Sequence, residues 1–309
     1  VSTEGGTRAI IAALLANAGI AVSKFVAFVI TGSSSMLAEA IHSVADTGNQ
    51  GLLLLGGRRA QREATERHPF GYGRDRYFYA FVVALVLFSI GSLFALYEGI
   101  AKLRHPHHLD APAVALGVLG VAILLESFSF RTALVESRKV KAKGVSWWGF
   151  IRRAKAPELP VVLLEDTAAL LGLVFAFFGV TMTLVTDNPR WDGVGTLAIG
   201  ALLAAVALIL AIEMKSLLIG ESASAADVEA ICDALLDGPE VSRVIHLRTM
   251  HLGPEELLVG AKIAVEHDDS AADIARGIDA AEERVRRAVP TARVIYLEPD
   301  LDRSPSAEE

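Results

Sequence analysis

Residues 33–50 read SSSMLAEAIHSVADTGNQ and run on through Gly51 into the hydrocarbon stretch at residues 52–55, all leucine. Within this stretch Glu39, His42, Asp46 and Asn49 lie three, four and three positions apart. On a helix that spacing stacks all four along one face. An ionisable side chain at the centre of a bilayer costs roughly 2.5–3.5 kcal/mol even on lenient insertion scales, so a stripe of them inside a membrane span is a functional-site hypothesis by default. The surroundings support a span. The chain is 309 residues long and 52% hydrophobic, with a mean hydropathy of +0.44, too apolar for a soluble globular protein of this size. About 20 mostly apolar residues cross a bilayer. Six stretches meet that length, at residues 8–32, 36–55, 77–100, 111–135, 159–185 and 194–212.

The pattern changes after Met214. Val228, Ile231, Cys232, Leu235 and Leu236 recur at helical spacing, whereas residues 244–252 and 256–265 alternate or run apolar as strands do. Residues 271–288 return to a helix with Ile274, Ile278, Ala281 and Val285 on one face, and residues 293–297 read as a last strand. The order helix, strand, strand, helix, strand predicts a small α+β domain with its helices on one face of a sheet. The expected division is a six-helix transmembrane domain over 1–214, a soluble domain over 215–301 and a polar, disordered tail over 302–309. The chain opens Val1-Ser2-Thr3 without a methionine, which reads as a trimmed start. Its first apolar segment is too long, and too lacking in a cleavage site, for a signal peptide.

Lysine and arginine in the short loops set the orientation. Arg58, Arg59, Arg62, Arg67, Arg74 and Arg76 follow the second span, and Arg138, Lys139, Lys141, Lys143, Arg152, Arg153 and Lys155 follow the fourth. Both loops are expected on the cytoplasmic side, together with both termini and the soluble domain. Trp147 and Trp148, just before the fifth span, suit an interfacial anchor or a short amphipathic helix. A net charge of −7 gives no reason to expect nucleic acid as a partner. The single cysteine, Cys232, excludes an internal disulfide and a cysteine-rich metal site, so metal chemistry here rests on His, Asp and Glu.

The fifth span supplies a complement to the second. Glu165 and Asp166 are adjacent within the run LPVVLLEDTAALLG, and two neighbouring carboxylates in lipid need a cation. His42 and Asp46, four apart, can place an imidazole nitrogen and a carboxylate oxygen on one ion at about 2.0–2.2 Å, the distances that suit zinc. A tetrahedral site from His42, Asp46, Asp166 and either Glu165 or a water is the expectation, with Glu39 and Asn49 as polar support. Asp166 is favoured as the direct ligand. Lys24 is expected to snorkel or to balance a carboxylate, Arg131 to pair with Glu126, and Glu39 has the bland alternative of simple solvation near the outer interface.

These residues resemble the cation diffusion facilitator family of divalent-metal exporters. The likeness is carried by SSSMLAEAIHSVADTGNQ at 33–50, RHPFGYGRDRYFYAF at 67–81, LYEGIAKLRHP at 96–106 and VIHLRTMHLGPEELLVGAKI at 244–263. The stretch WWGFIRRAKAPELPVVLLEDTAALLG at 147–172 is similar to the zinc transporter nine branch. The resemblance implies a homodimeric antiporter that exchanges a metal ion for protons, with an intramembrane site between the second and fifth spans and a ferredoxin-like cytoplasmic domain. His42 and Asp46 stand at the family's ligand positions on the second span. On the fifth, Asp166 matches the usual Asp, while Val162 stands where a His is usual, and Glu165 is the candidate replacement. The oxygen-rich set that results admits Mn2+, Fe2+ or Co2+ beside Zn2+. A second family site is represented by His68 alone, since Tyr72 and Thr65 replace its other ligands. In the soluble domain His246, His251 and His267 are expected at the surface, with Tyr296 where many members have a ligand.

The expected function is therefore non-enzymatic: export of a divalent metal, zinc foremost, by proton antiport with alternating access in a bacterial cytoplasmic membrane. The rival from another class is a non-transporting membrane protein that senses metal or recruits partners. A nucleotide-driven pump is disfavoured because the chain has no phosphate loop of the Walker type.

Overall fold

The computed structural model describes residues 18–141, 144–266, 268 and 270–301. Two compact units divide them: one runs to Arg59 and from Asp75 to Lys215, the other takes Ala60–Arg74 and everything from Ser216 on. The loop at 60–74 thus joins the C-terminal unit, which a division in chain order at residue 214 does not foresee. The expected tail at 302–309, the start of the first span and His267 lie outside the described residues.

The first unit is helical: α1 (Ala18–Thr31), α2 (Ser34–Ala60), α3 (Asp75–Arg104, with a π-helical stretch at Val83–Phe88), α4 (Pro112–Val140), the short α5 (Trp147–Arg153), α6 (Glu158–Thr186) and α7 (Arg190–Ile219). Among the described residues α3, α4, α6 and α7 are long and apolar enough to cross a membrane. At about 1.5 Å per residue the 27 residues of α2 also reach across, and it is the polar stripe that keeps this helix out of that apolar group. Its outward-facing neighbours follow a lipid pattern: Val29, Leu124, Phe128 and Val185 are all more than 70% exposed.

The start of α2 is anchored from α7. The buried carboxylate of Asp192 accepts the Ser34 backbone N–H at 2.8 Å, the Ser33 hydroxyl at 2.8 Å and the hydroxyl of Ser35. It thereby satisfies donors that a helix N-terminus leaves free. Lys102 of α3, also buried, lies 3.8 Å from the same carboxylate, and Glu98 accepts the Ser34 hydroxyl at 2.8 Å. Two helices, α3 and α7, therefore set where the polar stripe of α2 begins.

The second unit has the expected order. Helix α8 (Ala225–Leu236) is followed by β1 (Arg243–Gly253), β2 (Glu256–Val265), α9 (Ala271–Ala288) and β3 (Ala292–Leu301). The sheet order is β1-β2-β3, with β1 and β2 antiparallel and β2 and β3 parallel across the α9 crossover. Both helices open on Ser-Ala-Ala-Asp: the Ser224 and Ser270 hydroxyls accept the backbone N–H of Asp227 and Asp273 at 3.1 and 3.2 Å. Alternate residues of β2 (Leu257, Val259, Ala261 and Ile263) are buried against Ile231 and Leu235 of α8 and Ala281 and Val285 of α9. This is the two-layer α+β architecture of a ferredoxin-like domain following a membrane helix bundle.

Candidate metal centre

The polar face of α2 points inward. Glu39, His42, Ser43, Asp46 and Asn49 are buried, while Val44 is 51% exposed. Each buried polar group is tied to a partner helix or to its own stripe. Lys24 of α1, fully buried, donates to Glu39 Oε2 at 3.0 Å and to Ser43 Oγ at 2.8 Å. Of the two expectations for Lys24, balancing a carboxylate is the one realised, and Glu39 is buried and paired rather than solvated at an interface. Helix α6 comes close here because residue 172 is glycine: a Cβ there would stand 2.5 Å from Glu39 Oε1.

One turn along, His42 Nδ1 lies 3.4 Å from Asp46 Oδ1, as the four-residue spacing requires. Asn49 Nδ2 donates to Glu165 Oε2, joining α2 directly to α6. Asp166 accepts the Ser129 hydroxyl of α4 at 3.2 Å. Glu165 and Asp166 are both buried, and Val162, four residues before Asp166, is half-buried.

These groups surround a cavity of about 20 Å³ lined by Asp46, Glu126, Ser129, Glu165 and Asp166, room for about one water-sized occupant. His42 does not line it, although its ring touches the Asp46 carboxylate that does. Among the described residues no three His, Cys, Asp or Glu side chains close on a single point. Four carboxylates thus line a small space without closing on one point. Such a lining can bind a hard or borderline cation or hold protons.

Glu126 was missed as a member of this group. Its expected partner, Arg131, is exposed, whereas Glu126 is half-buried and turned to the cavity. The available signal was the one used for α2, a carboxylate within a long apolar helix, and Ser129 three positions later shares its face.

The other candidates sit in the second unit. His68 stands edge-on to Tyr72 with ring centroids 4.7 Å apart, and Thr65 Oγ1 is 3.3 Å from the Tyr72 hydroxyl. The three positions of the eroded site are thus brought together without a carboxylate. In the sheet, His246 is exposed as expected, but His251 is only 5% exposed, contrary to the expectation of a surface residue. It pairs in register with Leu257, whose side chain is in the core.

Known proteins resemble this chain over most of its length. The family model described as the cation efflux transmembrane domain matches residues 10–219. The chain is 32% identical over 251 residues to the proton-coupled zinc antiporter SLC30A9, mitochondrial, of Homo sapiens, covering 81% of this chain and 44% of that protein. It is 28% identical over 267 residues to metal tolerance protein C4 of Arabidopsis thaliana, covering 85% and 58% respectively. It is 24% identical over 271 residues to magnetosome protein MamB of Paramagnetospirillum magneticum, covering 86% and 84%. The chain spans about half the length of the first two relatives. With its polar α2 stripe and α6 carboxylates inside a match that covers most of its residues, the chain belongs to the cation efflux family, the cation diffusion facilitators.

Proposed function

We propose that this protein exports a divalent transition-metal ion, zinc foremost, from the cytoplasm in exchange for protons. It works as a homodimer in a cytoplasmic membrane, with both termini and the 215–301 domain on the cytoplasmic side. The observation that carries the reading is the convergence of Asp46, Glu165 and Asp166, with Glu126, on one small cavity inside an apolar bundle. Buried carboxylates without a resident cation are costly in such surroundings. A cation that comes and goes, a proton or a metal, compensates them in each state.

Coordination requires the ligands to lose their protons. Metal and proton occupancy therefore compete at the same oxygens: acid weakens metal binding, and metal binding expels protons. Rocking of the helices around the cavity exposes it to alternate sides. His42 and Asp46 supply the nitrogen and oxygen that zinc accepts, Asp166 and Glu165 the complement from α6. Val162 leaves that complement without a second imidazole, which relaxes the preference for zinc over Mn2+, Fe2+ or Co2+. Similarity to the human proton-coupled zinc antiporter supports both the ion and the coupling.

The test is zinc-driven proton release from vesicles reconstituted with the purified chain. Wild type is expected to show saturable proton release with transmembrane zinc flux. Asp46→Ala is expected to show none above empty vesicles, with helix content and dimer retained by circular dichroism and size-exclusion scattering. Flux at the wild-type rate in Asp46→Ala would remove the site. Saturable zinc binding with no flux in wild type would identify a metal-sensing or scaffolding protein instead.

A further inference from the structure

Within the second unit, the loop Ala60–Arg74 lies on the C-terminal sheet and borders an open cavity of about 330 Å³. Its walls include Arg67, His68, Phe70, Arg74, Met250 and Leu258. Met250 and Leu258 are cross-strand partners, and the alternation along β2 puts Leu258 on the sheet face opposite the helices. The loop is shaped to lie there. Thr65 and His68 exchange backbone hydrogen bonds of 3.1 and 2.9 Å. At Gly73 a Cβ would stand 2.8 Å from the Leu252 carbonyl oxygen, so only glycine lets the chain pass. Gly220, at φ +115°, gives the Met250 sulfur its room.

Arg74 is the unexplained group. Its Nη2 meets the Met250 sulfur at 3.2 Å, and its Nε is buried with no hydrogen-bond partner among the described residues. A guanidinium carries five donors and a thioether is a weak acceptor, so half-buried Arg74 keeps a buried N–H unanswered at the cavity wall. No acidic side chain is among the described residues lining the cavity, while Arg67 and His68 add further donors. The cavity therefore offers donors and positive charge and, among the described lining residues, no carboxylate to answer them. A guanidinium fork matches the oxygens of a phosphate bidentately.

We infer that this cavity binds a phosphate group, held by Arg74 with Arg67 and His68 beside it. The phosphate can come from an anionic lipid headgroup or from solution. The inference does not depend on what the bundle transports.

The test is calorimetric titration of the full chain, in a neutral detergent, with dioctanoyl phosphatidylglycerol and, separately, with inorganic phosphate. Arg74→Ala is expected to weaken binding about 10- to 100-fold, the loss of charge-assisted hydrogen bonds. Arg62→Ala, which removes an exposed charge of the same loop, should change it by no more than about twofold. Should Arg74→Ala aggregate, Arg74→Met keeps an apolar stem against Met250 and gives the same readout. Binding of the lipid alone assigns the headgroup, of inorganic phosphate alone a soluble source, and of both the phosphate group itself. If neither binds, or if Arg62→Ala weakens binding as much as Arg74→Ala, the inference is overturned.

Discussion

The two units of this chain are built on opposite rules. In the C-terminal unit Ile231, Leu235, Val259 and Val285 are buried and the charged residues face water, as in Lys262, which sits 3.1 and 3.0 Å from the surface carboxylates of Glu298 and Asp300. In the helical unit Leu124 and Phe128 are each 73% exposed, whereas Lys24 and Glu39 are completely buried. Water drives the first arrangement by expelling apolar surface. Lipid supplies no such drive between helices, so the groups that hydrocarbon cannot tolerate turn inward there, among buried apolar residues such as Leu173 and Leu203. The lesson is that interior residues of the helical unit are informative about function and those of the sheet unit about stability.

That contrast can be broken in several ways. The largest expected effect on stability is at the buried pair. Glu39→Gln leaves Lys24 without its counter-charge and should destabilise the helical unit by about 3–5 kcal/mol. Lys24→Met combined with Glu39→Leu should return it to wild-type stability or above. Reversible unfolding in mixed micelles measures both, and a double variant as unstable as the single one would show that the pair is not a unit. Next, Leu235→Ala in the sheet unit should cost about 2–5 kcal/mol. Hydrogen exchange on the full chain should register that loss in α8, α9 and β2 and leave α2 unchanged. Smallest is Leu124→Ala on the lipid side, expected within about 0.5 kcal/mol of wild type. A loss of a few kcal/mol there would mean that this face is covered by protein.

How much of this could be read beforehand followed the same division. The stripe from Glu39 to Asn49 was legible because charge within an apolar run has few innocent explanations. The order of elements after Met214 was legible because helices and strands have distinct periods. What failed was contact between elements distant in sequence. Nothing local tells that Lys24 turns to Glu39 rather than to lipid headgroups, that Asn49 reaches Glu165, or that Asp192 caps α2. Those depend on how helices rotate against each other. Glu126 was assigned to Arg131 because the two are near in sequence, yet the cavity claims it. His251 was expected at the surface because a histidine in a small soluble domain usually is, but its place opposite Leu257 in the β1–β2 register buries it. Likewise the 60–74 loop looked like a connector between spans, and only its contacts with the sheet show where it belongs.

At the centre of the proposal, carboxylates from two helices hold one dication inside an apolar bundle. Anomalous diffraction at the zinc edge, from crystals of the full chain grown with zinc, tests it most directly. The expected result is a peak inside the bundle within about 2.0–2.2 Å of carboxylate oxygens of both Asp46 and Asp166. A zinc-saturated crystal with no peak between α2 and α6, or with zinc bound only in the C-terminal unit, would contradict it.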